Sequence, residues 1–97
     1  MSKPIHPIIY ESKNFTVFIE DSSIGWILHC YVYNWSRSVY KEMIDTMVLV
    51  LEIAPRNELY AFSKNSKLTK FCELFGMQSI DTIKTDDGEG DLLCVTL

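Results

Sequence analysis

Residues 25–43 read GWILHCYVYNWSRSVYKEM, and the hydrophobic period changes within them. Trp26, Leu28, Cys30 and Val32 alternate with Ile27, His29, Tyr31 and Tyr33, so both sets are apolar and the stretch predicts a central strand covered on both faces. From Ser36 onward the spacing is helical. Val39, Tyr40, Met43, Ile44, Met47 and Val48, and then Val50 and Leu51, form one stripe, with Ser38, Lys41, Glu42, Asp45 and Glu52 opposite. That helix should end near Ile53, because Pro55 disfavours a helical Ala54. The junction holds no glycine between Tyr33 and Val39.

Working outward, FTVFIE (15–20) alternates as a strand and is joined to the next by turn chemistry in Asp21, Ser22 and Ser23. Residues 1–14 read as irregular, since Pro4 and Pro7 remove amide donors. Beyond the helix, ELYAF (58–62) is short and aromatic, a buried strand, and the strand–helix–strand order implies a parallel pair with a right-handed crossover. A second helix follows, capped by Asn65 or Ser66, with Leu68, Phe71, Cys72 and Phe75 on one face. Gly76 should stop it in the left-handed conformation, with Met77 packing back on its last turn. SIDTIKT (79–85) and DLLCVTL (91–97) close the chain as a hairpin around a polar loop at 86–90. The fold class is α/β (α+β): a single-layer mixed sheet with two helices, in the order β-β-α-β-α-β-β over residues 15–97.

The 97 residues are enough for one domain, and 47% hydrophobic with 23% charged residues is globular composition. A net charge of −4 leaves no positive footprint for nucleic acid. The longest apolar run, Met47 to Leu51, is far below the roughly 20 residues that cross a bilayer, and the N-terminus lacks a secretory pattern. An intracellular, cytoplasmic chain without membrane or nucleic-acid partners is expected. Cys30, Cys72 and Cys94 are odd in number and far apart, and DDGEGD (86–91) lacks calcium-loop spacing, so neither a disulfide framework nor a metal site is expected.

Two apolar strands, a long helix, a short strand and then LYAFSKNSKLTKFCELFGM (59–77), a strand, an asparagine and a helix ending in Leu-Phe-Gly-Met, resemble the GNAT superfamily of N-acetyltransferases. The resemblance covers residues 15–97 and is similar in length to small bacteriophage-type members, which implies a bacterial or phage-infected host cell. It implies that the strand before the long helix splays from its parallel neighbour and that acetyl-CoA lies in the gap. Backbone of Leu28 to Tyr33, Cys30 and Val32 among them, would pair with pantetheine; Ser36, Arg37 and Ser38 would meet the pyrophosphate; Asn65 would lie near the cofactor arm. Cys72 stands where many members carry a general-acid tyrosine.

The residues also depart from that pattern. The family's pyrophosphate loop is glycine-rich so that backbone can approach the diphosphate, whereas Trp35 and Val39 stand here where small residues are needed. The resemblance begins at residue 15, so a counterpart of the opening strand and helix pair that build the family's acceptor pocket is not expected in residues 1–14. These features imply a degenerate acetyl-CoA site in a non-catalytic protein that binds another protein, with no bound cofactor. Alternatives are a minimal N-acetyltransferase using acetyl-CoA on an amine, and self-assembly through an open sheet edge.

Each candidate residue has a plainer account. Ser36 or Asn34 can simply cap the helix beside a solvated Arg37. His29 could be a general base, but no carboxylate stands beside it in sequence, which favours a hydrogen-bonded core histidine. The three thiols sit in apolar patterns and read as packing groups. Trp26 belongs to the core pattern, while Trp35, flanked by polar residues, is a candidate partner anchor.

Overall fold

A computed structural model describes residues 7–86 and 88–97. Six strands, β1 (Ile8–Glu11), β2 (Phe15–Ser22), β3 (Gly25–Val32), β4 (Glu58–Ser63), β5 (Gln78–Thr85) and β6 (Gly88–Thr96), form one sheet in the order β1-β2-β3-β4-β6-β5. Helix α1 (Arg37–Ile53) connects β3 to β4, and α2 (Ser66–Glu73) connects β4 to β5. Among the described residues β3 and β4 pair in parallel, and the other four pairings are antiparallel. The mixed α+β class with two helices therefore stands.

The N-terminal reading requires correction. Residues 8–11 are a strand rather than irregular chain, paired to β2 through Tyr10–Val17 and Glu11–Thr16 with a bulge after Ile8. Pro7 does not prevent this, because it lies just before the edge strand and contributes its carbonyl, which accepts from the Ile19 amide at 3.1 Å. The order thus gains an opening strand. Residues 1–6, with Pro4, lie outside the described residues.

The β2–β3 turn is tighter than Asp21-Ser22-Ser23 implied. Ser22 pairs with Gly25, leaving two residues, Ser23 and Ile24, at the tip. Gly25 has φ 137°, a conformation L side chains avoid.

Helix α1 ends as its sequence requires, with Ala54 extended (φ −71°, ψ 147°) ahead of Pro55. A single 3₁₀ turn, Pro55–Asn57, then leads into β4, with Arg56 and Asn57 at φ 57° and 54°. The Asn57 side chain donates to the Leu51 and Glu52 carbonyls, satisfying helix-end acceptors. Val39, Met43, Thr46, Val50 and Leu51 are the buried residues of α1, but Val48 is exposed. It follows Val39 by nine residues, two and a half turns, and so falls on the opposite side.

The end of α2 has the expected form. The Met77 amide donates to the Cys72 carbonyl and the Gly76 amide to that of Glu73, with Gly76 at φ 84° and Met77 buried beside Cys72. The closing hairpin is tighter than its sequence implied, since Gly88 to Gly90 belong to β6 and not to a loop. Asp87 lies outside the described residues.

Both helices pack on one face of the sheet. Val50, Leu51 and Ala54 of α1 meet Ile19 and Leu59; Val39 and Met43 meet Phe15 and Val17; Cys72 of α2 meets Ala61, Met77 and Leu93. The expectation that β3 is covered on both sides is therefore overturned. None of its residues is buried, and Tyr31 is 61% exposed. Its second face is apolar in sequence but, among the described residues, packs against neither helix.

Candidate functional site

Parallel pairing between β3 and β4 is brief, joining Trp26 to Leu59 and Ile27 to Tyr60 and going no further. Past that point the two strands diverge. On its other edge β3 remains paired to β2 as far as Val32–Phe15, and the Tyr33 amide donates to the Asn14 carbonyl at 2.8 Å. Antiparallel ladders alternate, so if Tyr33 points its backbone groups toward β2, Cys30 and Val32 point theirs toward the gap.

The gap opens into a cavity of about 390 Å³, within the usual range for small-molecule sites. Leu28, Cys30, Met43 and Cys72 line it on the helix side, and Phe18, His29, Tyr31 and Phe62 on the uncovered side. The passage therefore runs through the sheet.

His29 is not a core histidine. Its Nε2 lies 2.9 Å from Glu20 Oε1, and both side chains are 40% exposed. Sequence reasoning missed Glu20 because nine residues separate the two. Placing the hairpin turn at Ser23–Ile24 finds it: Glu20 then pairs with Ile27 and Phe18 with His29, making Glu20 and His29 diagonal neighbours on one face. A carboxylate fixing one ring nitrogen of a histidine beside a cavity is an arrangement able to move a proton.

Cys72 is buried and lines the same cavity, so the two candidate catalytic residues do come together around one space. Burial raises the Cys72 thiol, with a further push from Glu73. Burial likewise pushes the Cys30 thiol up to about 11, helped by Cys72. Both stay protonated near neutral pH and are weak nucleophiles.

The helix start holds the other candidates apart from this space. Ser36 Oγ accepts from the Val39 amide at 3.2 Å and lies 3.0 Å from Ser38 Oγ, so it is the cap of α1. Asn34 is occupied elsewhere, its amide donating to the Lys13 carbonyl at 3.1 Å. Arg37 is the exposed first residue of the helix. Asn65 Oδ1 accepts from the Leu68 amide at 2.8 Å, capping α2 and lining a separate shallow polar pocket with Lys64, Lys70 and Asp91.

Trp35 is 53% exposed, yet its ring is engaged. It meets Tyr40 edge-on at 6.0 Å and Phe71 at 5.7 Å, and Phe71 and Phe75 continue the cluster at 5.1 Å. The Tyr40 hydroxyl donates to the Leu74 carbonyl at 2.8 Å. These contacts tie the start of α1 to α2, and Phe71 and Phe75 also line the cavity.

Among the described residues no three His, Cys, Asp or Glu side chains gather as metal ligands, and no helix is long and apolar enough to cross a membrane. No family model, no curated protein and no solved structure matches the chain, which stands as a small mixed α+β domain with a six-stranded sheet.

Proposed function

We propose that the chain is a small GNAT-like protein with a degenerate acetyl-CoA site, non-catalytic, that acts by binding another protein. The parting of β3 from β4 supports the GNAT-like part of this reading, since the resemblance implies a splay at that place. One observation carries the loss of the cofactor role: the Trp35 ring lies against Phe71 and Tyr40 at the glycine-free helix start, where a diphosphate would need open backbone.

Calorimetric titration with acetyl-CoA tests it, with no heat of binding expected in the micromolar range. Micromolar binding together with turnover on any amine would refute it. A minimal acetyltransferase is the second reading, favoured by His29, which lines the cavity and is held by Glu20. It requires Arg37→Ala to abolish CoA binding, and an unchanged affinity rejects it.

A further inference from the structure

The sheet divides its charges unequally between its faces. Cross-strand register places Glu11 opposite Thr16, Glu20 opposite Ile27, Glu58 opposite Thr96 and Asp81 opposite Leu92, all on the face that neither helix covers. The aromatic residues Phe18, Tyr31, Tyr60 and Phe62 share that face. Tyr31 stands edge-on to Phe18 at 5.0 Å and is largely exposed.

Strands β1 to β4 and β6 contain no lysine or arginine. In β5, Lys84 pairs with Glu89, two residues before Asp91, whose carboxylate meets Thr69 of α2; both therefore belong to the helix-side set. The remaining described cations, such as Lys13, Arg37, Lys41, Lys64 and Lys70, lie on loops and helices. The helical side thus mixes both signs through Lys84, Asp21, Glu89, Asp91 and the helix charges, whereas the uncovered face carries carboxylates and aromatic rings, with no described lysine or arginine on it. Such a surface attracts cations through its carboxylates and over its rings, and repels anionic polymers.

We infer that this uncovered face docks a lysine- or arginine-bearing segment of a partner protein. The inference rests on the protein-binding reading above and names the chemistry of the partner. Cationic heads would meet Glu11, Glu58 and Asp81, while alkyl stems cover Tyr31 and Phe18.

The test uses the full chain, a fluorescein-labelled amphipathic Lys/Leu peptide and its Glu/Leu counterpart, read by fluorescence anisotropy. The triple variant E11Q/E58Q/D81N keeps side-chain shape while removing three carboxylate charges from this face. It should lose about tenfold or more in affinity for the Lys/Leu peptide. The control D45N/E52Q/E73Q changes net charge equally at exposed helix positions and should stay within about twofold. Tyr31→Ala, at an exposed position, should weaken binding further without unfolding the chain. Equal losses in the two triples, equal binding of the Glu/Leu peptide, or no binding at all would overturn the inference. So would a dimer in sedimentation that the Lys/Leu peptide fails to displace, because the occupant would then be a second copy. Acetyl-CoA turnover on the same preparation separates the two readings: turnover ends the non-catalytic one, whereas indifference to the face variants ends the docking one.

Discussion

Replacing Gly76 isolates a purely backbone cost. Its φ is 84°, and a Cβ built there would meet only Val95 Cγ2, at an ordinary 3.8 Å, so no side-chain overlap confuses the measurement. An L residue in the left-handed region loses about 1–2 kcal/mol. Alanine recovers about 0.4–1 kcal/mol by restricting the unfolded chain, which leaves a net loss near 1 kcal/mol. In a domain of this size that lowers Tm by roughly 4–8 °C. Gly76→Asn should cost less than Gly76→Ala, since asparagine tolerates this region, and Gly76→Val should cost the most. Urea unfolding of the series, with m unchanged, is the assay. Valine as stable as glycine, or asparagine no better than alanine, would refute the assignment of Gly76 as the left-handed stop of α2. Gly90→Ala provides the opposite case: its Cβ would lie 2.6 Å from the Ser63 carbonyl oxygen, so it should lose about 1–3 kcal/mol through overlap.

Three further outcomes are expected. The Tyr10 hydroxyl bond to Glu42, aided by Asn14, Ser12 and Lys13, lowers the Glu42 carboxyl below its usual range. Its contribution is present above the unfolded-state value near 4.3 and lost as pH falls through the folded one, so Glu42→Gln should flatten the acid limb of a urea-midpoint profile. The Glu58 carboxylate accepts from the Tyr60 hydroxyl at 2.8 Å and holds that phenol up at about 12. Stability from this bond is complete below about 10 and falls as pH rises toward the folded value; ultraviolet titration should show a late phenol that Glu58→Ala brings down, while Tyr10, raised by its bond to Glu42, is unaffected by that change. Cys30, raised to about 11, should react with a disulfide reagent at neutral pH far more slowly in the native than in the urea-unfolded chain.

Local chemistry made much of the fold legible. The change of period at Ser36, the Pro55 stop, the Asn65 cap and the Gly76 exit each act within a few residues, and each appears where its physics places it. Features that depend on distant partners were not legible. Strand β1 is held by β2, and Pro7 masked it; the exposure of β3 depends on which face the helices choose, which two equally apolar faces do not encode. The gap between β3 and β4 likewise depends on where pairing stops. For the site, the contact of His29 with Glu20 was recoverable from hairpin register, whereas its meeting with Cys72 around one cavity required the crossover through α1.

The contact of Trp35 with Phe71 also gives the molecule an optical reporter. Half of the indole faces solvent and the rest rests on α2, so any rearrangement that separates α1 from α2 wets the ring and shifts its emission to the red. Trp26 sits at the other end of β3, packed against the Ile19 and Leu59 core, and supplies a steady background. Steady-state fluorescence of Trp26→Phe would then follow the docking of α1 on α2 without a label.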